Sequence, residues 1–317
     1  MIKEISYNLR NLTFLSTIGF LVISVLILFS GSQSLIAFFL TLLELLILTY
    51  SINIITGLTG YVDFGHAVFY GIGAYTAAFL IVNVGTANIT PYLFSLIGGL
   101  AAAFFALLIG APVLRLKGAY FAIATLSVSE AVKVIISNIS ALGGSYGIPL
   151  ARYVSYDVVS AYLAMWLTLL FAVILTIWIS NSKFGYGLRA IREDEIAANV
   201  MGINTSLYKL IAYVLSALVA GIVGGISGIL YVYVSTEYFK VDISVKMLVS
   251  MMLGGQGTIL GPLIGTLLYY VIQYTLVTSY PFLHLLIFGA ILIVVVLFIP
   301  EGLIGIIKRK FKQLKVR

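Results

Sequence analysis

The sequence predicts an all-α, polytopic integral membrane protein with about ten transmembrane helices. Of its 317 residues, 62% are hydrophobic and only 9% are charged, whereas an ordinary soluble domain has about 25% charged residues. Apolar stretches of the ~20 residues that a helix needs to cross the hydrocarbon core recur from Leu12 almost to Ile307. The runs lack the alternation of a β-barrel, which leaves helices as the structure that satisfies every backbone group in lipid.

Hydropathy and the positions of turn residues predict ten crossings in one transmembrane domain that takes in residues 1–317. The apolar run after Lys3 and Arg10 is longer than the roughly 7–15 residues of a cleavable signal sequence, so we interpret it as the first span. The predicted spans are 12–30, 35–56, 65–84, 91–114, 119–140, 158–179, 208–234, 245–257, 258–278 and 282–300.

The lysine and arginine residues predict the orientation of these spans. With the N-terminus inside, most of the 18 basic residues fall in cytoplasmic segments, including the tail from Lys308 to Arg317. Because the number of spans is even, both the N-terminus and the C-terminus are then cytoplasmic. Spans 2–5 and 7–10 have the opposite orientations of an inverted repeat with broken helices, although the two halves are only faintly similar in sequence.

The composition also limits the chemistry of the protein. The chain has no cysteine, and its two histidines, His66 and His284, lie far apart in sequence. Since nucleophiles, bases and metal ligands do not converge, the sequence predicts no enzyme, no metal site and no cofactor. The net charge of +7 is carried mainly by the loops, which indicates contact with membrane lipid rather than with nucleic acid.

Two glycine-rich segments interrupt the predicted spans, and we predict that both line a translocation pathway. Each glycine weakens a helix by up to about 1 kcal/mol relative to alanine, and broken helices at membrane depth usually line a cavity. The second segment lacks the Lys-Ser/Thr pair of a phosphate-binding loop. The glycines concerned are Gly57, Gly60 and Gly65 in the first segment and Gly254, Gly255 and Gly257 in the second.

Four other residues near the first segment allow two interpretations. Gly71 and Gly73 either extend the break or let helices pack closely. Asp63 and His66 have the spacing of a metal pair or a proton relay, but two ligands without a third make a poor metal site. We interpret Asp63 and His66 as structural.

Charged residues inside the spans are functional candidates because charge is costly in lipid. Glu44 lies in the second span, and Glu130 and Lys133 lie in the fifth, three residues apart, so that they can neutralise each other. We predict that Glu130 lines the translocation pathway. The alternative is a structural ion pair that faces the helix bundle or an interface.

The long inner loop, 181–207, contains a predicted amphipathic helix of about four turns that ends at Gly202. Leu188, Ile191 and Ala198 share an apolar stripe of this helix, and the nearby charges are three acidic against two basic. This balance does not favour anionic lipid. We therefore predict a soluble protein partner on the inner face.

Several motifs, in order along the chain, resemble the permease subunits of branched-chain amino acid ABC importers of the LivM type. The resemblance covers nearly the whole chain from about Leu42 onward. It is carried by 57–61, 65–66 and 73–75 around the first break, by 114–123, by 190–198 in the inner loop, and by 254–258 with Gly261.

This resemblance implies a multi-pass subunit of the cell membrane that works in a larger importer. Two permeases pair, two cytoplasmic ATP-binding subunits supply the energy, and an extracytoplasmic substrate-binding protein delivers the amino acid. The inner loop would be the coupling helix that contacts the ATP-binding subunits, although Ile196 separates Glu195 from the alanines of the Glu-Ala-Ala pattern. The implied coupling residues are Arg189, Arg192, Glu193, Asp194, Glu195, Ala197, Ala198 and Gly202.

Two alternatives to this function stay open from the sequence. An ion-coupled secondary transporter also suits inverted repeats and broken helices, and Glu44, Asp63 and Glu130 are the acids that such coupling would use. An ABC permease for urea, amides or other amino acids would share the same motifs.

Overall fold

A computed structural model describes residues 16–17, 19–28, 32–85, 90–155, 157–279, 289 and 302–305 of the protein. The described chain is almost entirely helical, apart from two antiparallel two-residue strands, β1 (Ile148–Pro149) and β2 (Tyr233–Val234). The helices are α1 (Gly19–Leu28), α2 (Gln33–Ile52), α3 (Ala67–Val84), α4 (Thr90–Val113), α5 (Ala119–Ser137), α6 (Val158–Asn181), α7 (Lys183–Glu193), α8 (Glu195–Val200), α9 (Thr205–Leu230), α10 (Val241–Gly254) and α11 (Gly261–Ser279).

The predicted fold class is confirmed. Among the described residues, 6 helices are long and apolar enough to cross a membrane, and they coincide with predicted spans 2 to 7. They are Gln33–Gly57, Ala67–Val84, Pro91–Val113, Ala119–Ser137, Val158–Asn181 and Thr205–Leu230.

The remaining predicted spans correspond to shorter or undescribed segments. Helix α1 lies within the first predicted span, and α10 and α11 occupy the eighth and ninth. Helix α10 has 14 residues and is therefore ~21 Å long, which is shorter than the ~30 Å hydrocarbon core. The tenth predicted span, 282–300, lies outside the described residues except for position 289.

The centre of the molecule is built where α3, α4 and α9 cross through small residues. A Cβ atom on Gly73 would overlap the carbonyl group of Gly221, and one on Gly71 would overlap the Phe239 ring. Such close backbone contact is how membrane helices gain packing energy without a hydrophobic driving force. Gly71 and Gly73 are thus packing residues, which decides between the two interpretations that the sequence allowed.

The first predicted break is present. Helix α2 loosens into a π-helical turn, Asn53–Gly57, and regular helix resumes only at Ala67. Gly60 has a φ angle of +79°, a left-handed conformation that glycine adopts without steric cost. Gly65 lies against the backbone of Thr125, where a side chain has no room.

The second predicted break is also present, between α10 and α11. Gly255 and Gly257 have φ angles of +124° and +73°. Gly254 packs against Gly261, and Gly265 packs against Ser250, so that α10 and α11 form a tight antiparallel hairpin. The break is the turn of this hairpin.

The prediction of one continuous helix in the inner loop was wrong, because the loop contains two helices, α7 and α8. Asp194 separates them with φ −156° and ψ 111°, and its carboxylate accepts hydrogen bonds from the backbone N–H groups of Ile196 and Ala197. Aspartate is a strong N-cap residue. Asp194 therefore ends α7 and begins α8.

The end of α8 was predicted correctly at Gly202. This residue has a φ angle of +89°, and its N–H group donates to the Asn199 carbonyl while Ile203 donates to the Ala198 carbonyl. These two hydrogen bonds form a Schellman motif. The apolar stripe of the loop faces inward, since Leu188, Ile191 and Ala198 are all buried.

Candidate functional site

Arg192, near the end of α7, connects this surface helix to both helix breaks. Its guanidinium Nη1 donates to the Gly57 carbonyl at 2.7 Å and to the Gln256 carbonyl at 3.4 Å. Gly57 ends the π-helical turn, and Gln256 lies in the turn between α10 and α11. A hydrogen bond from a charged donor contributes about 1.5–3 kcal/mol. One side chain thus holds the two glycine segments and α7 together.

Asn53 connects the two breaks to each other directly. Its side-chain oxygen accepts from the Gly257 N–H group at 2.8 Å, and its amide nitrogen donates to the Thr258 carbonyl at 3.2 Å. A Cβ atom on Gly257 would lie 2.5 Å from the Gly57 carbonyl oxygen and 2.8 Å from Arg192 Nη1. Any larger residue at Gly257 would push the two breaks apart.

Glu195 fastens α8 to the first break and to α9. Its Oε1 accepts from Lys209 Nζ at 2.7 Å and its Oε2 accepts from the Tyr61 hydroxyl at 2.5 Å. Lys209 also donates to the Tyr61 hydroxyl at 2.9 Å and lies 4.3 Å from the centre of the Tyr61 ring. Lys209 is a buried residue of α9, with 2% of its surface exposed.

The ionisation of Glu195 depends on these contacts. Its burial raises the pKa of the carboxyl group, whereas the hydrogen bonds from Lys209 and Tyr61 and the charges of Lys209 and Lys117 lower it. The lowering contributions outweigh the burial, so the pKa of Glu195 lies below its ordinary value. Glu195 is therefore an anion at neutral pH and keeps its salt bridge.

Asp63 and His66 form a buried pair at the end of the first break, directly before α3. Asp63 Oδ2 lies 2.8 Å from His66 Nδ1, and His66 Nε2 lies 2.8 Å from the Ser51 hydroxyl. The Ser51 proton is directed to the Ser216 carbonyl, at 2.6 Å, so Nε2 must donate to Ser51.

Ser51, His66 and Asp63 have the connectivity of a hydrolase triad without the access that catalysis needs. All three are 0% exposed, and a nucleophile must reach its substrate. The Gly65 N–H group also donates to Asp63 Oδ1 at 3.0 Å, so the array holds the bend that leads into α3. The described part of the chain contains no group of three or more His, Asp or Glu side chains placed to hold a metal ion.

The other predicted coupling residues differ in their surroundings. Arg189 donates to the Ser180 carbonyl at 2.9 Å and fastens α7 to the end of α6. Ala198 is buried against the chain itself. Glu193, Asp194, Ala197 and Gly202 are exposed.

Glu130 is not brought to the glycine breaks. It pairs with Lys133 at 3.3 Å, and the two side chains are 43% and 29% exposed on α5. Helix α5 has the smallest buried share of the six candidate spans, 22%. The ion pair therefore lies on a face of the described chain that other protein or lipid must cover.

Sequence reasoning missed several residues that organise this site. Three of them form hydrogen bonds within or between the breaks, α8 and α9: Asn53, Tyr61 and Lys209. Three others expose apolar side chains on or directly after α8: Ile196, Val200 and Met201. A polar asparagine inside an apolar span was the one signal in the sequence for Asn53. The bonds of Asn53, Tyr61 and Lys209 join positions between 14 and 205 residues apart, a separation that local patterns do not bridge.

These contacts define a class of protein. It is a helical membrane protein whose interior contains two non-helical segments, bonded to each other and to a helix pair at the surface. Broken helices of this kind are typical of membrane transport proteins.

Comparison with known proteins narrows this class to a family. Residues 34–296 match the family described as the permease component of branched-chain amino acid transport systems, and the chain belongs to that family. It is accordingly a membrane transport subunit and not an enzyme.

The chain is similar to several curated permeases. It is 28% identical over 299 residues to the high-affinity branched-chain amino acid transport system permease protein LivM of Escherichia coli K12, covering 84% of this chain and 69% of that protein. A probable LivM of Methanocaldococcus jannaschii is 28% identical over 249 residues, 71% of this chain and 70% of its own. LivH of Salmonella typhimurium is 25% identical over 282 residues, 80% of this chain and 88% of its own. No solved structure matches the chain.

Proposed function

We propose that this permease imports branched-chain amino acids by ATP-driven alternating access, with ATP hydrolysed on separate subunits. The named function of the similar permeases supports the substrate class. The observation that carries the mechanism is the Arg192 side chain, which bonds α7 to the carbonyl groups of both helix breaks. A displacement of α7 is thereby transmitted to both segments at once.

The surface of the helix pair suits two cytoplasmic ATP-binding subunits as partners. Ile196, Val200 and Met201 are 70%, 82% and 82% exposed, and charged Glu193 stands beside them. An exposed apolar cluster with a polar rim is typical of a protein interface. Glu195 bonds α8 to Tyr61 in the first break, and Arg192 bonds α7 to both breaks. A partner that moves the exposed cluster would therefore move the breaks with it.

A second permease completes the pathway in this proposal. Glu130 and Lys133 lie on the outward face of α5, where lipid would disfavour their charge. A partner permease on this face would shelter the pair and place the substrate path between the two subunits. The chain resembles both LivM and LivH permeases, which supports two related subunits, and an extracytoplasmic substrate-binding protein would deliver the amino acid.

The mechanism predicts that Arg192→Met separates ATP hydrolysis from transport. Losing the 2.7 Å hydrogen bond to Gly57, at about 1.5–3 kcal/mol, together with the longer contact to Gln256, should reduce ATP-dependent L-leucine uptake at least about tenfold while ATP hydrolysis persists. The measurement is uptake and hydrolysis in proteoliposomes that contain both permeases and the ATP-binding subunits, with the binding protein added. Lys183→Met removes an exposed positive charge from the start of α7 and serves as the control with normal uptake.

An unchanged ratio of uptake to hydrolysis in Arg192→Met would refute the role of Arg192. Uptake by the wild type that persists without ATP and collapses with an ion gradient would instead favour an ion-coupled secondary transporter.

A further inference from the structure

Glu44 is a carboxylate in the middle of a membrane-spanning helix, surrounded by hydroxyl groups. It follows Gln33, the first residue of α2, by about 16 Å along the helix, and 8% of its surface is exposed. Tyr70 and Ser227 donate hydrogen bonds to Oε1, the latter at 2.7 Å, and Tyr231 donates to Oε2 at 2.9 Å. All three donors are neutral hydroxyl groups, which bring no positive charge to the carboxyl group.

Among the acids of the described chain that are not exposed, Glu44 differs in having no basic partner there. Asp63 is paired with His66, Glu130 with Lys133 and Glu195 with Lys209. No described lysine, arginine or histidine forms an ion pair with Glu44. Buried charges in proteins are normally paired, and the described chain supplies no such partner for Glu44.

The surroundings of Glu44 suit an organic cation. Tyr70 stacks on Tyr238, with ring centres 4.9 Å apart and planes 15° apart, so a second ring lies against the one whose hydroxyl bonds Glu44. The Tyr75 hydroxyl is buried without a hydrogen-bond partner in the described part of the chain. Tyrosine rings grouped around a carboxyl group are surroundings of the kind in which ammonium ligands are recognised.

One of the side chains that cover Glu44 reaches the surface. Tyr231, which holds Oε2 of Glu44, is 50% exposed. Thr41 precedes Glu44 by three residues, so that the two share one face of α2, and Thr41 is exposed beside Tyr231 and Tyr270. Displacement of the Tyr231 ring would uncover the carboxylate.

We propose that Glu44 and the tyrosines around it form a binding site for the ammonium group of the amino acid in transit. Glu44 supplies the counter-charge, and the Tyr70 and Tyr238 rings shelter the ammonium group. The incoming ammonium group replaces the Tyr231 hydroxyl as a hydrogen-bond donor to Glu44. The substrate class in this proposal rests on the proposed function, whereas the preference for an ammonium group is tested independently of it.

The first experiment measures whether Glu44 is charged and accessible. Because the chain has no cysteine, Thr41→Cys gives this subunit a single thiol, and its labelling rates, followed on this subunit, are compared for a cationic trimethylammonium and an anionic sulfonate methanethiosulfonate reagent. The permease complex is used in detergent, and Tyr146→Cys, a 90% exposed position, is the reference thiol. We expect a preference for the cationic reagent at least about threefold above the reference, the effect of a unit charge ~6 Å away even in water. This excess should disappear when Glu44→Gln is added.

The second experiment identifies the group that binds. The probes are 3-methylbutylamine, which has the ammonium group of leucine without its carboxylate, and 4-methylpentanoate, which has the reverse. The amine should slow labelling of the thiol in Thr41→Cys and the carboxylate should not, and Glu44→Gln should abolish the protection. Three results would each overturn the proposal. They are equal protection of the thiol by the amine and the carboxylate, protection by sodium chloride equal to that by the amine, and a preference for the cationic reagent no greater than that of the reference thiol.

The third measurement connects the site to transport. In proteoliposomes, Glu44→Gln should lower L-leucine uptake at least about tenfold with ATP hydrolysis retained, and Glu237→Gln, an exposed acid next to Tyr238, should not. Absence of ATP-driven leucine uptake by the wild type would refute the proposed function while leaving the labelling result intact. If the wild type shows ATP-driven leucine uptake and Glu44→Gln takes up leucine equally well, the proposal of an ammonium site in the pathway is refuted.

Discussion

Asp63 and His66 are two ionisable residues that are fully buried and bonded to each other. Each polar atom of the pair has a partner: Gly65 N–H for Asp63 Oδ1, His66 for Oδ2, and Ser51 for His66 Nε2. A buried pair is stable only when its remaining hydrogen-bonding positions are filled in this way. The bend between the first break and α3 therefore depends on the complete array.

Asp63→Ala is expected to lower the free energy of unfolding by about 3–5 kcal/mol, because it leaves His66 buried without its counter-group. The matched control is Asp242→Ala, whose carboxylate pairs with Lys246 on α10 and is 51% exposed, so its loss should cost less than about 1 kcal/mol. Denaturant unfolding in detergent measures both variants. Equal losses would show that the buried array contributes nothing beyond an ordinary surface pair.

At the scale of elements, α7 and α8 behave as one unit because the Asp194 cap joins them and three anchors hold them. Arg189 fastens the pair to α6, Arg192 to both breaks and Glu195 to α9. A helix of 6 residues such as α8 is too short to be stable in water by itself. Its position is set by these tertiary bonds, so it moves only with the elements that it contacts.

The Glu195 anchor predicts a pH dependence of stability. Since the pKa of Glu195 in the folded protein lies below its ordinary value of 4.5, its contribution is complete above that value and is lost as the pH falls through the lower, folded pKa. The difference in melting temperature between wild type and Glu195→Gln should be constant from about pH 8 to pH 5 and shrink at lower pH. Glu193→Gln, a change at an exposed acid, should show no such trend. A difference that grows on acidification would contradict the sign of the shift.

At the scale of the whole molecule, the distribution of basic residues predicts that α7 and α8 face the cytoplasm. The loop after α5 carries Arg152 as its one basic residue, whereas the segment from Lys183 to Lys209 is rich in basic residues. Both helix breaks are bonded to α7, and so both would lie on the cytoplasmic side of the protein.

This orientation is tested by labelling single cysteines in intact cells with a membrane-impermeant maleimide. Tyr146→Cys, in the loop after α5, should react from outside, and Lys183→Cys should react only after the membrane is permeabilised. The reverse pattern would invert the topology and would remove α7 and α8 from the side where ATP is available.

The sequence by itself determined the fold class, the position of most spans and the two breaks. Lipid imposes these features locally: about twenty apolar residues form a helix wherever they occur, and clustered glycines weaken it wherever they occur. The sequence also marked the inner loop as the candidate site, with Arg192 and Glu195 within it.

The tertiary structure alone decided what those residues contact. Arg192 and Glu195 point inward to Gly57 and Lys209, and Ala198 faces the core while Ile196 faces outward. Likewise, the sequence did not distinguish Glu44 from the other intramembrane acids. The fold showed that Asp63 and Glu130 have basic partners and that Glu44 has none among the described residues. The physical reason is that hydrogen bonds and ion pairs depend on distances of a few ångströms between segments far apart in the chain, whereas partition into lipid depends on each segment alone.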